Sequence, residues 1–465
     1  MSHQKLLDQV VDIAASYYDR RDSSPVFPRI TPEQLRHAFG AGVPLPEHGQ
    51  DAEKVIAELA RTAELGLVSQ TGPRYFGFVI GGSLPVATAA DWLTSAWDQN
   101  SGLYATSPAA SVVEEAAAAW LLELLGLPRT ASVGFVTGCG MANFTGLAAA
   151  RHYVLRQAGW DVELDGLNGS PKINIILGDE AHVTIHTALR MLGLGTRAIQ
   201  HVATDDQGRM IRAELLKTLK SCIGPTIVCA QAGNVNTGAF DPLTEVAAAT
   251  REAGAWLHID GAFGLWAAVS DQLKHLVAGA DRADSWATDG HKWLNVPYDC
   301  GLIICAHPEA HRAAMTVTAA YLVQSDKERD PFEWTPEFSR RARGFTVYAA
   351  LKHLGRSGVR DMIERCCARA RQMAELLRTH PGVEILNDVV LNQVLVRFNG
   401  SDDFTRAVIQ NVQQDGTCWL GGTTWHNMVA MRVSVSNWST TERDIELSAQ
   451  AILRAVNAAT PVAAR

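Results

Sequence analysis

No stretch of this 465-residue chain is apolar for the roughly 18 residues that a bilayer-spanning helix takes, and the longest candidate, AAAAWLLELLGL, is interrupted by Glu123. Charge of one sign is nowhere concentrated. With 41 basic and 49 acidic residues the formal net charge is −8, and no basic block is present to grip phosphates or anionic lipid. Neither nucleic acid nor a membrane is therefore an expected partner. None of the eight cysteines forms a C-x-x-C pair. A chain this long needs no disulfide framework, so reduced thiols in a cytoplasmic protein are expected. A P-loop G-K-[ST] is missing as well. His182 and His186 are spaced i, i+4, but Val183-Thr184-Ile185 lies between them instead of the H-E-x-x-H glutamate, and no metal site is expected. The opening MSHQKLLDQVVD carries Asp8 and Asp12 inside its apolar pattern, which reads as an amphipathic helix rather than a signal peptide.

What is present is an ordinary globular composition, 47% hydrophobic and 19% charged, with a clear order along the chain. Residues 1–75 read as helices and connectors broken by Pro25, Pro28 and Pro46. Over 76–350, seven short apolar runs (SVGFVTG, INIILG, AIQHVA, TIVCAQA, AWLHID, SWATDG and GLIICAH) alternate with helical stretches such as LTEVAAATREAG. That alternation predicts an α/β fold with a mainly parallel central sheet covered on both faces. Residues 351–465 change character: a long helix over 346–378, then the strands GVEILND, QVLVRFNG and MRVSVSN, predict a small C-terminal α+β domain. Ser439-Thr440-Thr441-Glu442 reads as a capping box opening the last helix.

Four features fall at strand ends, where α/β folds place ligands. Asp260 ends AWLHID and is followed by Gly261-Ala262. A lone acid there also serves as a helix cap or ion-pair partner. Lys292 sits between His291 and Trp293-Leu294; a lysine forms Schiff bases when burial or nearby cations depress its pKa, though most lysines are solvated surface cations. In GFVTGCGMANFTGLAAAR a strand meets a Gly-containing turn and a helix, so the amides near Cys139 and Gly140 suit a phosphate, or simply a tight turn. His182 follows INIILG; its flat ring could cover an aromatic cofactor or make a structural hydrogen bond.

Taken together, a phosphate turn, a stacking ring, a carboxylate and a lysine occur in the order that pyridoxal 5'-phosphate (PLP) chemistry uses, with the carboxylate keeping the ring nitrogen protonated as an electron sink. HIDGAFG and DGHKW, supported by YFGFV (75–79), SPAASVVEEAAAAWLLELLGLP (107–128) and GAFDPLTEV (238–246), resemble the group II PLP-dependent amino-acid decarboxylases of the aromatic-L-amino-acid and glutamate decarboxylase type. The resemblance runs from about residue 70 to the end. It implies the type I PLP-dependent enzyme fold and a homodimer with shared active sites. It also implies a carboxy-lyase acting on an L-amino acid through a Lys292 Schiff base and a quinonoid intermediate. By motif position it assigns Lys292 as the tether, Asp260 to the ring nitrogen, His182 to stacking, Ala262 beneath the ring, Cys139, Gly140 and His291 to the phosphate, and Asn234 near the ring edge.

Three departures from the family pattern matter. The phosphate turn has Gly140-Met141 where a serine and an acid are usual. NSGLYATSP carries Asn100 and Gly102 where relatives acting on aromatic substrates place apolar residues. The expected mobile loop, 322–341, holds Phe332, Trp334 and Phe338 but no tyrosine, with Tyr321 just outside it. Relatives lacking that tyrosine yield an aldehyde and ammonia, so decarboxylation-linked oxidative deamination is the alternative to simple decarboxylation, with another type I reaction such as transamination beside it. A nicotinamide-binding reading of Gly138-x-Gly140 fails because Asn143 stands where the third glycine belongs. A PLP-fold scaffold without catalysis is disfavoured by the full set of Asp260, His182 and Lys292. For Arg432, in MRVSVSN, a surface or interface salt bridge is the favoured reading over a substrate contact.

Overall fold

The computed structural model describes residues 3–197, 199–317 and 328–459. Each of the seven apolar runs forms a strand: β1 (Ser132–Val136), β2 (Asn174–Gly178), β3 (Ile199–Val202), β4 (Thr226–Gln231), β5 (Trp256–Asp260), β6 (Ser285–Asp289) and β7 (Gly301–Cys305). They make one sheet in the order β1-β7-β6-β5-β4-β2-β3. All pairings are parallel except those of β7, which runs antiparallel to both β1 and β6. Central strands buried on both faces need continuous apolar runs, and β4 and β5 are buried along their whole length. This is the α/β architecture expected, with a mainly parallel sheet.

The direction of the strands sets the site. The carboxyl ends of β1, β2, β4, β5 and β6 lie on one edge, and β7 begins there, Gly301 pairing with both Val136 and Asp289. A Cβ on Gly301 would stand 2.4–2.7 Å from the backbone of Gly138, so only glycine lets the turn after β1 close over the start of β7. The helix that follows, Cys139–Gln157, is buried by small residues such as Ala142, Gly146, Ala149 and Ala150. A Cβ on Gly146 would meet His258 and Ile303 at 2.9 Å, and its absence lets the helix lie close against β5 and β7. Four tryptophans, Trp256, Trp266, Trp286 and Trp293, are fully buried around this half of the molecule.

Before the sheet come the helices His3–Arg21, Pro32–Ala38, Ala52–Glu64, Pro85–Trp97 and Pro108–Leu124, the first of which has no buried residue. A 35-residue helix, Gly344–Arg378, bends at Gly355, whose φ of 61° suits glycine. It leads to a second, antiparallel sheet of β8 (Val383–Ile385), β9 (Gln393–Phe398), β10 (Gly421–Trp425) and β11 (Met428–Ser434), ordered β10-β11-β9-β8. The capping box of the last helix, Glu442–Ala458, differs from the expected one. Its N-cap is Thr441 and its reciprocal partner is Asp444, two residues beyond the Ser439–Glu442 pairing, because the helix starts later than the S-x-x-E pattern suggested.

Candidate active site

Just past β6 the chain turns back, and Lys292 returns its amine to the acid that ends the strand. Lys292 Nζ lies 3.0 Å from Asp289 Oδ2, with the two side chains 19% and 2% exposed. Burial alone lowers the lysine pKa. The Asp289 carboxylate beside it and Asp260 further off outweigh that, and the amine is held above its ordinary value. This corrects the expectation of a depressed lysine: the histidine and apolar flank are evident in the sequence, but not that Asp289 folds back onto the amine. His291 supplies no cationic push either. Burial lowers its pKa, its Nδ1 accepts from Cys300 N at 3.1 Å, and its ring stacks on Tyr298 at 4.3 Å.

Asp260, at the end of β5, is 5% exposed. Its Oδ1 accepts from Ala262 N at 3.2 Å and from Cys139 Sγ at 3.4 Å, and its Oδ2 accepts from Asn143 Nδ2 at 3.1 Å. Cys139 ties this acid to the lysine corner, since Cys139 N donates to Asp289 Oδ1 at 2.6 Å. Asp260 and Lys292 are thus linked through Cys139 and Asp289. His182 is the N-cap of the helix Val183–Met191, and its Nδ1 lies 2.9 Å from Thr184 Oγ1. Burial first, then Lys292 and Arg432, lower its pKa against the opposing pull of Asp260 and Asp289, leaving a neutral imidazole near neutral pH.

The remaining expected residues are placed unevenly. Ala262 packs in a small cluster with Cys139, Val136, Ala142 and Ala287. Gly138 begins the helix Cys139–Gln157 without a side-chain cap, and Gly140 is exposed. The Cys139 amide, however, is taken by Asp289 and is not free for a phosphate. Asn234 is spent inside its own turn: its Oδ1 accepts from Asn236 N at 2.9 Å and Thr237 N at 3.2 Å, and its Nδ2 reaches Glu180 O at 3.4 Å. Arg432, on β11, donates to Val235 O at 3.2 Å and Asn236 Oδ1 at 3.4 Å. Among the described residues no carboxylate makes an ion pair with it, and burial lowers its pKa. The salt bridge favoured from sequence is absent within the described chain.

Of the loop expected at 322–341, residues 322–327 lie outside the described residues, as does Tyr321. The part from 328 on is tied down. Arg340, 7% exposed, makes a bidentate pair with Glu114 at 2.7 and 2.9 Å, and Phe332, 2% exposed, packs on Phe338 at 5.0 Å. Buried anchors of this kind argue against free movement of 328–341.

Residues 32–399 match the pyridoxal-dependent decarboxylase conserved domain. The chain belongs to this family. It is a PLP-dependent carboxy-lyase by that membership, with PLP as its cofactor. This decarboxylase is 27% identical to an aromatic-L-amino-acid decarboxylase of Bacillus atrophaeus, over 94% of the chain and 92% of the relative. It is 25% identical to a 4-hydroxyphenylacetaldehyde synthase of Rhodiola rosea, over 94% and 91%. It is 29% identical to an acidic amino acid decarboxylase of Homo sapiens, over 76% and 68%. Among solved structures, Oryza sativa TDC with PLP and tryptamine superposes with a TM-score of 0.91 at 23% identity, covering 98% of this chain and 97% of that one, which establishes the shared type I fold.

The residues of this decarboxylase fit the cofactor on their own chemistry. An amine, a carboxylate and a helix N-terminus with an exposed Gly140, gathered on one sheet edge, match an aldehyde, a pyridine nitrogen and a phosphate. Sequence reasoning missed three members of the site. Asp289 is hidden inside DGHKW, where the lysine carries the stronger signal. Thr184 and Asn143 carry no motif signal beyond a hydroxyl two residues after His182 and an amide in the first turn after the Gly-containing loop. Only the close packing of that helix on β5 makes Asn143 a neighbour of Asp260.

Proposed function

We propose that this chain removes the α-carboxyl group of an L-amino acid and releases the amine. The observation that carries the reading is the gathering of Lys292, Asp260 and His182 around the start of the helix Cys139–Gln157, where Gly140 is exposed. When bound, PLP supplies the electron sink for the bond that breaks. Lys292 holds its aldehyde, which requires the amine to give up the proton it shares with Asp289. Asp260 faces the ring nitrogen, its charge fixed in direction by Asn143 and the Ala262 amide. Gly138–Gly140 and His291 take the phosphate end, with Gly140 offering the amide that Cys139 does not. Ala262 and His182 would lie on the two sides of the ring, and His182, after taking up a proton from solvent, or a group of the 322–341 loop would return a proton to the carbon that has lost its carboxyl group. Arg432 orients the substrate through a carboxylate. A half-buried guanidinium with no acid paired to it among the described residues is costly, and an anionic ligand relieves it.

The substrate is either aromatic or acidic at its side chain, since relatives of both kinds cover most of the chain. A second reading, oxidative deamination to an aldehyde with oxygen as oxidant, is favoured by two observations. One is the similarity to the Rhodiola rosea synthase, and the other is the lack of a tyrosine in 322–341. A panel of L-amino acids assayed together for CO2, amine, aldehyde and peroxide decides. Amine with CO2 supports decarboxylation; aldehyde with ammonia and peroxide supports the second reading; no turnover by a PLP-loaded protein refutes both.

The active form is proposed to be a homodimer with shared sites, in the cytoplasm. In support, Leu7, Val11 and Leu59 on the N-terminal helices and Trp92 and Trp97 on the helix Pro85–Trp97 are 42–56% exposed, apolar surface that a second copy would cover. No helix among the described residues is long and apolar enough to cross a membrane. Light scattering at a mass of one chain, 50.3 kDa, would refute the dimer.

A further inference from the structure

One hydrogen-bonded chain runs beneath the site and ends on two of its members. Its directions are determined from both ends. Trp256 Nε1 can only donate, and it donates to Ser285 Oγ at 2.9 Å. The Ser285 hydroxyl proton is then free for His258 Nδ1, 2.8 Å away. At the other end the Asp260 carboxylate only accepts, so the atom of Asn143 facing it at 3.1 Å is the amide nitrogen. Asn143 Oδ1 therefore faces His258 Nε2 at 2.9 Å, and that nitrogen carries the imidazole proton. Both ends demand the same tautomer of His258, which is fully buried and whose pKa burial drives down to about 4.

The chain branches at Asn143. Its amide nitrogen has two protons, and the second goes to Thr184 Oγ1 at 3.1 Å. With an acceptor position of Thr184 occupied, the threonine hydroxyl gives its own proton to His182 Nδ1 at 2.9 Å. The Thr184 amide donates to the same Nδ1 at 3.4 Å. His182 Nδ1 is an acceptor twice over, and the proton of the neutral ring is on Nε2.

We propose that Asn143 is a positioning residue that sets two things at once: the direction of the Asp260 carboxylate and, through Thr184, the Nε2–H tautomer of His182. This rests on the reading of Asp260 and His182 given above and deepens it. A single carboxamide, oriented by Trp256, Ser285 and His258, couples the acid for the ring nitrogen to the ring that holds the returning proton. Asn143 itself touches neither substrate nor reacting carbon.

The test uses the full-length chain with 15N-labelled histidine, with and without bound PLP, and two-bond proton–nitrogen correlation spectra; His182→Gln identifies the signal. Wild type and Thr184→Ser should show the Nε2–H form of His182. Thr184→Val removes the hydroxyl donor, and Asn143→Asp turns the threonine proton away from His182 toward the new carboxyl oxygen. Asn143→Asp should bring the Nδ1–H form into the majority, and Thr184→Val, which keeps the backbone amide on Nδ1, should raise its share measurably, both at unchanged circular dichroism. In parallel, Asn143→Asp should weaken PLP binding by about tenfold or more, through the repulsion it sets against Asp260. His258→Gln, which keeps a donor at the same place, should bind PLP like wild type, while His258→Leu should not. A wild-type Nδ1–H signal overturns the proposal, as does an unchanged tautomer in both Asn143→Asp and Thr184→Val. Should PLP fail to attach at Lys292 in wild type, the function proposed above fails, while the tautomer pattern of the cofactor-free chain still stands or falls by itself.

Discussion

Asp289→Asn is the substitution that most directly probes the lysine. Asp289 Oδ2 lies 3.0 Å from Lys292 Nζ, and its side chain is 2% exposed. At an effective dielectric of about 20, two unit charges at that separation attract by about 5 kcal/mol before desolvation is counted. Removing one partner of a buried pair costs about 3–5 kcal/mol, and the 19% exposure of the lysine places this pair near the lower end. Asparagine can still accept from Cys139 N, so the turn survives, but its amide nitrogen would face the ammonium as a second donor. The lysine pKa, now raised above the ordinary 10.5, must fall. A drop of one pH unit in that pKa corresponds to about 1.36 kcal/mol and makes the neutral amine about tenfold more abundant at any pH below it. Two measurements follow. In urea titrations of the cofactor-free chain the variant should lose about 3 kcal/mol at pH 8. In stopped-flow mixing with PLP at pH 8, capture by Lys292 should be faster than in wild type by about tenfold or more, with its rise with pH displaced downward. For wild type, the raised pKa makes the pair's contribution fully present below pH 10.5 and lost only as pH climbs through the folded-state value. An unchanged pH profile for capture, with a stability loss under about 0.5 kcal/mol, would show that Asp289 does not govern the amine.

Three further outcomes are expected. His258, with its pKa lowered from 6.5 to about 4, stabilises the fold in its neutral form; that contribution is present above pH 6.5 and is lost as pH falls toward 4, by about 3 kcal/mol in all. Urea midpoints at pH 7 and pH 4.5 should converge in His258→Gln relative to wild type, and an equal acid loss in both would assign the lability elsewhere. Arg432→Met should raise KM for the preferred amino acid by roughly 10- to 100-fold with PLP binding unchanged, the scale of one hydrogen bond to a charged group; a normal KM would remove Arg432 from the site. A Cβ on Gly81 would lie 1.8 Å from Lys292 O, so Gly81→Ala should displace the lysine turn and abolish the borohydride-fixable PLP adduct, while Gly49→Ala, with nothing within 4 Å, should leave it intact.

What can be read from sequence, and what cannot, divides along a physical line. Strands buried on both faces require continuous apolar runs, so the central strands are visible as short runs of that kind in the right places, and Asp260 and Lys292 are visible because each closes or follows one. The antiparallel return of β7 is not, since GLIIC has the same apolar content in either direction and only the short turn from Gly290 to Cys300 forbids a crossover. Side-chain partners across elements are hidden for the same reason. Lys292 reads as poised for a low pKa as long as Asp289 counts merely as a neighbour in sequence; the backbone turn brings it round to within an ion pair, and the direction of the change reverses. In the sequence Asn143 does no more than spoil a dinucleotide loop. Its importance comes from the run of small residues around it, Ala142, Gly146, Ala149 and Ala150, which draws the helix against β5 until one carboxamide reaches His258, Asp260 and Thr184 together. Enlarging that helix face, without touching any polar atom, should therefore separate Asp260 from His182 as effectively as deleting the amide. Gly146→Val, whose Cβ would press on His258 and Ile303 at 2.9 Å, is the substitution that would do so. If its His182 kept the Nε2–H tautomer and its PLP affinity, close packing of this helix would not be what assembles the site.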